Sequence, residues 1–256
     1  MRCCKVYCTY FGRRRGEFTS SPANAQEAYE VFRKNLEYDM DFDCGVENMD
    51  IIIVNNYSVE ITRECENWLN EINNIEYKYG KIIVVHRENK GASMGAYSYA
   101  FDLFEDVYDY WLFIEDDLQI IYPRYYEMII NEFSNENENL GFLSLTLINE
   151  EECPEIAYVS GGFGASKKEI LKSVKKLYGN LPYDLNGRCM GNYAWIGMSE
   201  KIFTNCYWKM GYMVRIPNNT EFITLADNWE KFPPNIKWQK IKQFDLTKPF
   251  FMHVGK

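Results

Sequence analysis

Apolar positions in this chain alternate between two spacings. The runs KVYCTYF (5–11), DIIIVNN (50–56), KIIVVH (81–86) and YWLFI (110–114) are short, nearly continuous and rich in β-branched and aromatic residues. That is the pattern of strands buried on both faces. Between them the apolar spacing lengthens to three and four. SPANAQEAYEVFRKNLEY (21–38) reads as a helix with Ser21 at the cap and Pro22 in the first turn. A second helix runs through Trp68 and Leu69. A third, over 93–107, places Ala96, Ala100 and Phe104 at four-residue intervals with Tyr97 and Phe101 beside them. Four strands joined by three helical crossovers imply a parallel sheet, because parallel neighbours need long right-handed connections. The expected class is α/β, Rossmann-like, with a mostly parallel central sheet flanked by helices.

Later segments carry the same signals more weakly. YVSGGFGA (158–165) reads as a strand and a tight loop. Ser166 and Glu169 stand at capping-box spacing ahead of the helix KKEILKSVKKLYG (167–179). MGNYAWIGMSEKIF (190–203) is helical, and NENEN (135–139) is a polar loop, since periodic segments resume on both sides of it.

Composition narrows the function. A chain of 256 residues that is 46% hydrophobic and 16% aromatic can bury a sizeable core. Its formal charge of -9 argues against a surface built to neutralise nucleic-acid phosphates, so no nucleic-acid partner is expected. Any anionic ligand must be met locally. No stretch reaches the ~18 apolar residues of a membrane span, and MRCCKVYCTYFGRRRG lacks the order basic, apolar, small of a secretory signal. A soluble, cytoplasmic protein without a transmembrane segment is expected. The eight cysteines are scattered, with no CxxC pair, and read as reduced thiols used as small apolar residues.

The unusual polar residues gather at the carboxyl ends of the four strands, where open parallel sheets bind ligands. They are Thr9 to Arg15, then Asn55, Asn56 and Ser58, then His86 to Ser93, and last Glu115, Asp116 and Asp117. Three adjacent carboxylates at the end of a buried strand repel one another and lose hydration. They are either a solvated turn or a site for a positive ligand. As hard oxygen donors they suit Mn²⁺ or Mg²⁺, whose shells are completed by water and phosphates, so the inferred ligand is a metal-bound diphosphate. Neither a P-loop nor a GxGxxG is present.

The order IIIVNNYS, VVHRENKGASMGAYSYAF, DYWLFIEDD and YVSGGFGASKKEIL resembles glycosyltransferases of GT-A fold, particularly the family-2-like group that uses nucleotide sugars. The resemblance covers most of residues 5–216. It implies one catalytic domain over 1–256, with a nucleotide-sugar-binding half to about 120 and an acceptor-binding half from about 121. It further implies a nucleoside-diphosphate-sugar donor and a glycan or other hydroxyl acceptor. Asp117 would bind the metal directly and Asp116 the ribose, or the metal through water, with Glu115 supporting the loop. Thr9, Tyr10 and Phe11 would line the nucleoside pocket. Asn55 and Asn56 stand where the family carries an acidic base reader; the other reading of the pair is a turn. Arg87, Lys90 and Gly91 would lie beside the nucleotide and donor sugar, Arg87 offsetting diphosphate charge or pairing with Asp116. Gly161 and Gly162 would let backbone approach the sugar, or form a plain turn. His253, ending FFMHVGK, would be a further metal ligand or a structural histidine.

The chain departs from the family at Asn192 and Tyr193, where inverting relatives carry an acidic pair that includes the base. Either Asp184 supplies the base or the enzyme is retaining and the leaving phosphate takes the proton. Two other functions stay open. A sugar-phosphate nucleotidyltransferase would carry a glycine-rich basic loop after the first strand, which FGRRRGEF matches poorly. A non-catalytic nucleotide- or carbohydrate-binding protein could keep the same fold.

Overall fold

The computed structural model describes residues 1–12, 24–134, 139–144, 147–150, 153–159, 163–183, 193–215, 238–239 and 251–253. Its first half alternates strands and helices: β1 (Cys3–Thr9), α1 (Ala25–Asp41), β2 (Met49–Tyr57), α2 (Arg63–Ile72), β3 (Glu76–Tyr77), β4 (Gly80–Glu88), α3 (Ala92–Phe104) and β5 (Tyr110–Glu115). Then follow β6 (Leu118–Ile120), α4 (Tyr125–Phe133), β7 (Leu140–Ser144), β8 (Leu147–Glu150), β9 (Cys153–Val159), β10 (Gly164–Lys167), α5 (Lys168–Tyr178), α6 (Tyr193–Lys209), β11 (Met213–Arg215), β12 (Trp238–Gln239) and β13 (Phe251–His253).

The main sheet has the order β11-β7-β10-β5-β1-β2-β4-β3. Its centre, β5-β1-β2-β4, is parallel throughout. β10 lies antiparallel between β5 and β7, and β3 pairs antiparallel with β4 at the edge. This is a mixed, mostly parallel α/β sheet. From β1 the chain winds outward to β2 and β4, then crosses back to place β5 on the other side of β1. The carboxyl ends of β1 and β5 thus flank a topological switch point, and the crevice outside such a point is where open α/β sheets bind ligands. Two small sheets, β12-β8-β9 and β13-β6, complete the pairing.

Helices cover the sheet as the apolar spacing requires. Tyr97 and Phe101 of α3 pack on Phe113 and Trp111 of β5, with ring centroids 4.9 and 5.0 Å apart. On the other face, Phe32 of α1 meets Tyr7 of β1 edge-on at 5.2 Å. The cysteines at 3, 4, 8, 44, 65 and 206 are buried free thiols in this packing. No helix among the described residues is long and apolar enough to cross a membrane.

Three local expectations are corrected. α1 is capped by Asn24, whose side chain accepts from Glu27 N at 2.9 Å, and not by Ser21. Ser21 and Pro22 lie outside the described residues. The capping box of Ser166 and Glu169 is not formed: Ser166 belongs to β10, where its hydroxyl donates to Gly141 O at 2.6 Å, and Lys167 is the N-cap. A buried hydroxyl in a strand satisfies a sheet neighbour instead of the next helix. α3 ends at Phe104 instead of residue 107, with Val107 N closing a turn on Phe104 O.

The least expected core residue is Lys5, fully buried in β1. Its ammonium sits 2.6 Å from both oxygens of Asp39 on α1, and the Tyr7 hydroxyl donates to the same carboxylate at 3.1 Å. The rings of Tyr7 and Tyr125 lie 5.1 and 5.0 Å from the ammonium. Burial lowers the Lys5 pKa, and Asp39 works against that shift. The pair bolts α1 to the central strand.

Candidate nucleotide site

At the end of β5 the apolar run stops and the carboxylates begin. Glu115 accepts a 2.6 Å hydrogen bond from Ser93 in the first turn of α3. Asp116 is only 3% exposed, and its Oδ2 accepts from Tyr10 N, the first residue past β1, at 3.3 Å. That bond spans the switch point. After Asp117 the chain enters β6, which pairs antiparallel with β13 so that His253 stands opposite Leu118. The acidic run is therefore a held corner of the sheet and not a solvated turn.

Asn35 braces this corner from behind. From its place on α1, and 1% exposed, it donates through Nδ2 to Asp116 O at 3.1 Å and to Leu118 O at 2.8 Å. Sequence reasoning passed over Asn35, although a signal was there. Ala28, Phe32 and Leu36 of α1 form an apolar stripe that Asn35 and Asp39 interrupt, and all five are buried. Polar residues on the buried stripe of a helix must have internal partners.

Asn55 and Asn56 lie within β2, each 1% exposed, so the turn reading is corrected. Strand register sets Asn55 beside His86 and Asn56 beside Arg87. Asn55 Nδ2 lies 3.1 Å from His86 Nδ1, and Thr9 Oγ1 is 3.5 Å from Asn55 Oδ1. Asn56 accepts from Arg87 Nη1 at 2.9 Å and donates to Cys8 Sγ at 3.2 Å. Both amides are thus occupied by protein partners.

Arg87 also donates through Nη2 to Lys90 O at 2.5 Å, and its guanidinium lies 5.8 Å from the Tyr99 ring. Among the described residues it forms no ion pair, so the expected alternative of a bridge to Asp116 is not realised. Burial pushes its pKa down, but a guanidinium stays charged. A half-buried cation held by an amide and a carbonyl oxygen retains most of its attraction for an anion. Lys90 instead pairs with Glu88 at 2.7 Å, both exposed.

Two glycines allow close packing around this loop, Gly91 against Tyr183 and Gly95 of α3 against Lys90 and Arg87. Gly91 has φ 73°, and a Cβ there would meet the Tyr183 ring at 2.2 Å. At Gly95 a Cβ would lie 2.0 Å from Lys90 O and 3.0 Å from Arg87 Nη1. Gly→Ala inside a helix ordinarily stabilises by up to about 1 kcal/mol. Here the sign should reverse: Gly95→Ala is expected to cost about 1–3 kcal/mol, the usual penalty of overpacking, in a urea titration. A more stable variant would contradict the close approach.

Phe11 is buried against Phe32, with centroids 6.1 Å apart, while Tyr10 is half-buried at the crevice. Gly161, Gly162 and Asp184 lie outside the described residues, as does Asn192; Tyr193 opens α6. Among the described residues no group of three or more His, Cys, Asp and Glu converges as a metal site would.

No protein-family model matches the chain. No curated protein matches it in sequence. Solved structures of similar chain course include a protein described as a glucose-1-phosphate thymidylyltransferase from Bacillus anthracis, in complex with sucrose. It is 12% identical with a TM-score of 0.43, over 84% of this chain and 86% of that one. TarS of S. aureus is 14% identical with a TM-score of 0.47, over 86% of this chain but 36% of its own. A 4-diphosphocytidyl-2C-methyl-D-erythritol synthase of Anaerococcus prevotii is 8% identical with a TM-score of 0.40, over 84% and 88%. The likeness is loose. No property of those proteins passes to this chain.

The geometry itself sets what the crevice can do. Carboxylates stand at the end of β5, tied to the end of β1 through Tyr10, and the Arg87 guanidinium, which forms no ion pair among the described residues, stands at the ends of β2 and β4. A cation suits the first group and anionic oxygens suit the second.

Proposed function

We propose that this chain is a GT-A-like transferase that binds a divalent cation and a nucleoside diphosphate group at this crevice and acts on nucleotide-linked sugars. The supporting observation is the Tyr10–Asp116 bond at 3.3 Å, which ties a buried carboxylate to the end of β1 at the switch point. The donor chemistry fits Mn²⁺ or Mg²⁺: Asp116 and Asp117 offer hard oxygens on adjacent residues, and such ions keep water and phosphate oxygens in the rest of their shells. When bound, the ion would stabilise charge developing on the phosphates.

The chain's own groups have distinct tasks in this reading. Arg87 offsets phosphate charge from the far side, with Lys90 and Gly91 lining the loop beside it. Tyr10 edges the nucleoside pocket, and Thr9 and Phe11, both fully buried, support it from the core. Asn55 and Asn56 would read the base only by exchanging their present partners. Gly161 and Gly162, which lie outside the described residues, would serve the sugar side. In glycosyl transfer an acceptor hydroxyl attacks the anomeric carbon, and its proton goes to Asp184 or to the departing phosphate.

A second direction has an observation of its own. A Cβ at Gly12 would lie 2.3 Å from Ser58 Oγ and 2.8 Å from the Tyr10 ring, so a larger residue would have to displace both side chains where the basic run Arg13 to Arg15 begins. A tight glycine followed by cations after the first strand suits a nucleoside triphosphate. There a sugar-phosphate oxygen would attack the α-phosphate and release pyrophosphate.

Products separate the readings. With Mn²⁺, a panel of nucleotide sugars and acceptor glycans should yield nucleoside diphosphate, or a panel of nucleoside triphosphates and sugar 1-phosphates should yield pyrophosphate. Binding without either product would leave a non-catalytic nucleotide-binding protein. His253 stands opposite Leu118, one residue beyond Asp117, in support of its proposed role as a metal ligand. His253→Ala is expected to weaken Mn²⁺ dependence while the ligand-free melting temperature stays near wild type. A large loss of stability with normal Mn²⁺ affinity would make the residue structural.

A further inference from the structure

We infer that Asn35 is a positioning residue for the ligand site, holding the backbone from which Asp116 and Asp117 project. The inference rests on the nucleotide and metal reading above. Asn35 is 81 residues from Asp116 in sequence, on a different element, yet its one amide nitrogen reaches the carbonyls on both sides of Asp117. Each bond has a geometric consequence. A peptide unit is planar, so pinning Asp116 O fixes the plane between residues 116 and 117, and pinning Leu118 O fixes the plane between 118 and 119. Asp117 lies between these two fixed planes. With Tyr10 N on the Asp116 carboxylate as a third attachment, little freedom remains in where the two carboxylates point.

Asn35 is a costly residue at this position of a helix. Asparagine is a poor residue for a helix interior, and this one is fully desolvated. Its Oδ1 is buried with no hydrogen-bond partner among the described residues. A leucine would continue the stripe of Phe32 and Leu36 without the orphaned Oδ1, but would take the amide donor from the carbonyls of Asp116 and Leu118. An unmet polar atom that persists in a core calls for a compensating role. Here its partner atom on the same amide tethers two carbonyls at the acidic corner. α1 itself does not need that brace, being fastened to β1 one turn later by Asp39 and Lys5 at 2.6 Å.

The test uses isothermal calorimetry with UDP, CDP, GDP, ADP and dTDP, each with Mn²⁺ and with EDTA, on wild type, Asn35→Leu and Asn35→Asp. Leu keeps the volume without polar atoms; Asp keeps the shape but replaces the donor. Near-ultraviolet circular dichroism reports whether each variant is folded. Wild type should bind at least one diphosphate more tightly with Mn²⁺. Folded variants should lose about tenfold to a hundredfold of that Mn²⁺-dependent affinity, the usual effect of losing a group that orients metal ligands, with the weaker affinity in EDTA unchanged. Wild-type Mn²⁺-dependent affinity in either folded variant would overturn the positioning role. Loss of the native fold in both would overturn it too, because Asn35 would then be a requirement of the fold. Equal affinity with Mn²⁺ and EDTA in wild type would instead overturn the metal–nucleotide reading beneath it.

Discussion

Asp117→Asn is expected to leave the protein folded and to slow turnover on the order of a hundredfold or more. Asp117 is the last of three consecutive acids and the nearest to the loop, beyond the fully buried strand residues Trp111 to Ile114. Glu115 is tied to Ser93 at 2.6 Å and Asp116 to Tyr10 at 3.3 Å, which fixes the corner at whose loop end Asp117 stands. Asparagine keeps the volume and removes the charge, which subtracts one anion from the ion's shell. Folding should tolerate it, since relieving repulsion among adjacent carboxylates is neutral or mildly stabilising in the absence of an ion. Steady-state rates and a thermal melt, measured together, check both halves. Full activity would remove Asp117 from the chemistry, and an unfolded variant would mean that the carboxylate serves internal contacts.

Lys5→Met should be the most damaging single change to stability, at about 3–5 kcal/mol. Removing the ammonium leaves the Asp39 carboxylate, 1% exposed, with the Tyr7 hydroxyl but without a cation. An uncompensated charge in the core is far costlier than the pair is stabilising. It follows that Lys5→Met combined with Asp39→Leu should recover most of the loss, because both desolvated charges are then gone. Urea unfolding checks this through the midpoint, with the slope unchanged. A single variant within about 1 kcal/mol of wild type, the range of ordinary exposed ion pairs, would mean that the pair is hydrated in solution.

The parts of the fold that rest on long, one-sided patterns were legible. β1, β2, β4 and β5 are strands of six to nine residues built around apolar runs, and their parallel order follows from the helices between them. The acidic corner was legible too, because charge at the end of such a run is conspicuous. β10 was not: four residues, Gly164–Lys167, take their place between β5 and β7 from partners distant in sequence. Lys5, Asn35 and Asp39 were missed for one shared reason. Each is a polar residue at a position the period assigns to the core, and only the tertiary partner shows why it is tolerated. Ser166 failed in the opposite sense, since a correct local motif lost to a sheet bond 2.6 Å long.

A crystal structure with Mn²⁺ and a bound nucleotide sugar tests the placement of the site most directly. Anomalous scattering should put one manganese in bonding contact with Asp117 and with phosphate oxygens, between the ends of β1 and β5, with the Arg87 guanidinium on the phosphates. A nucleotide seated elsewhere, or one at this crevice with no manganese against Asp117, would contradict it.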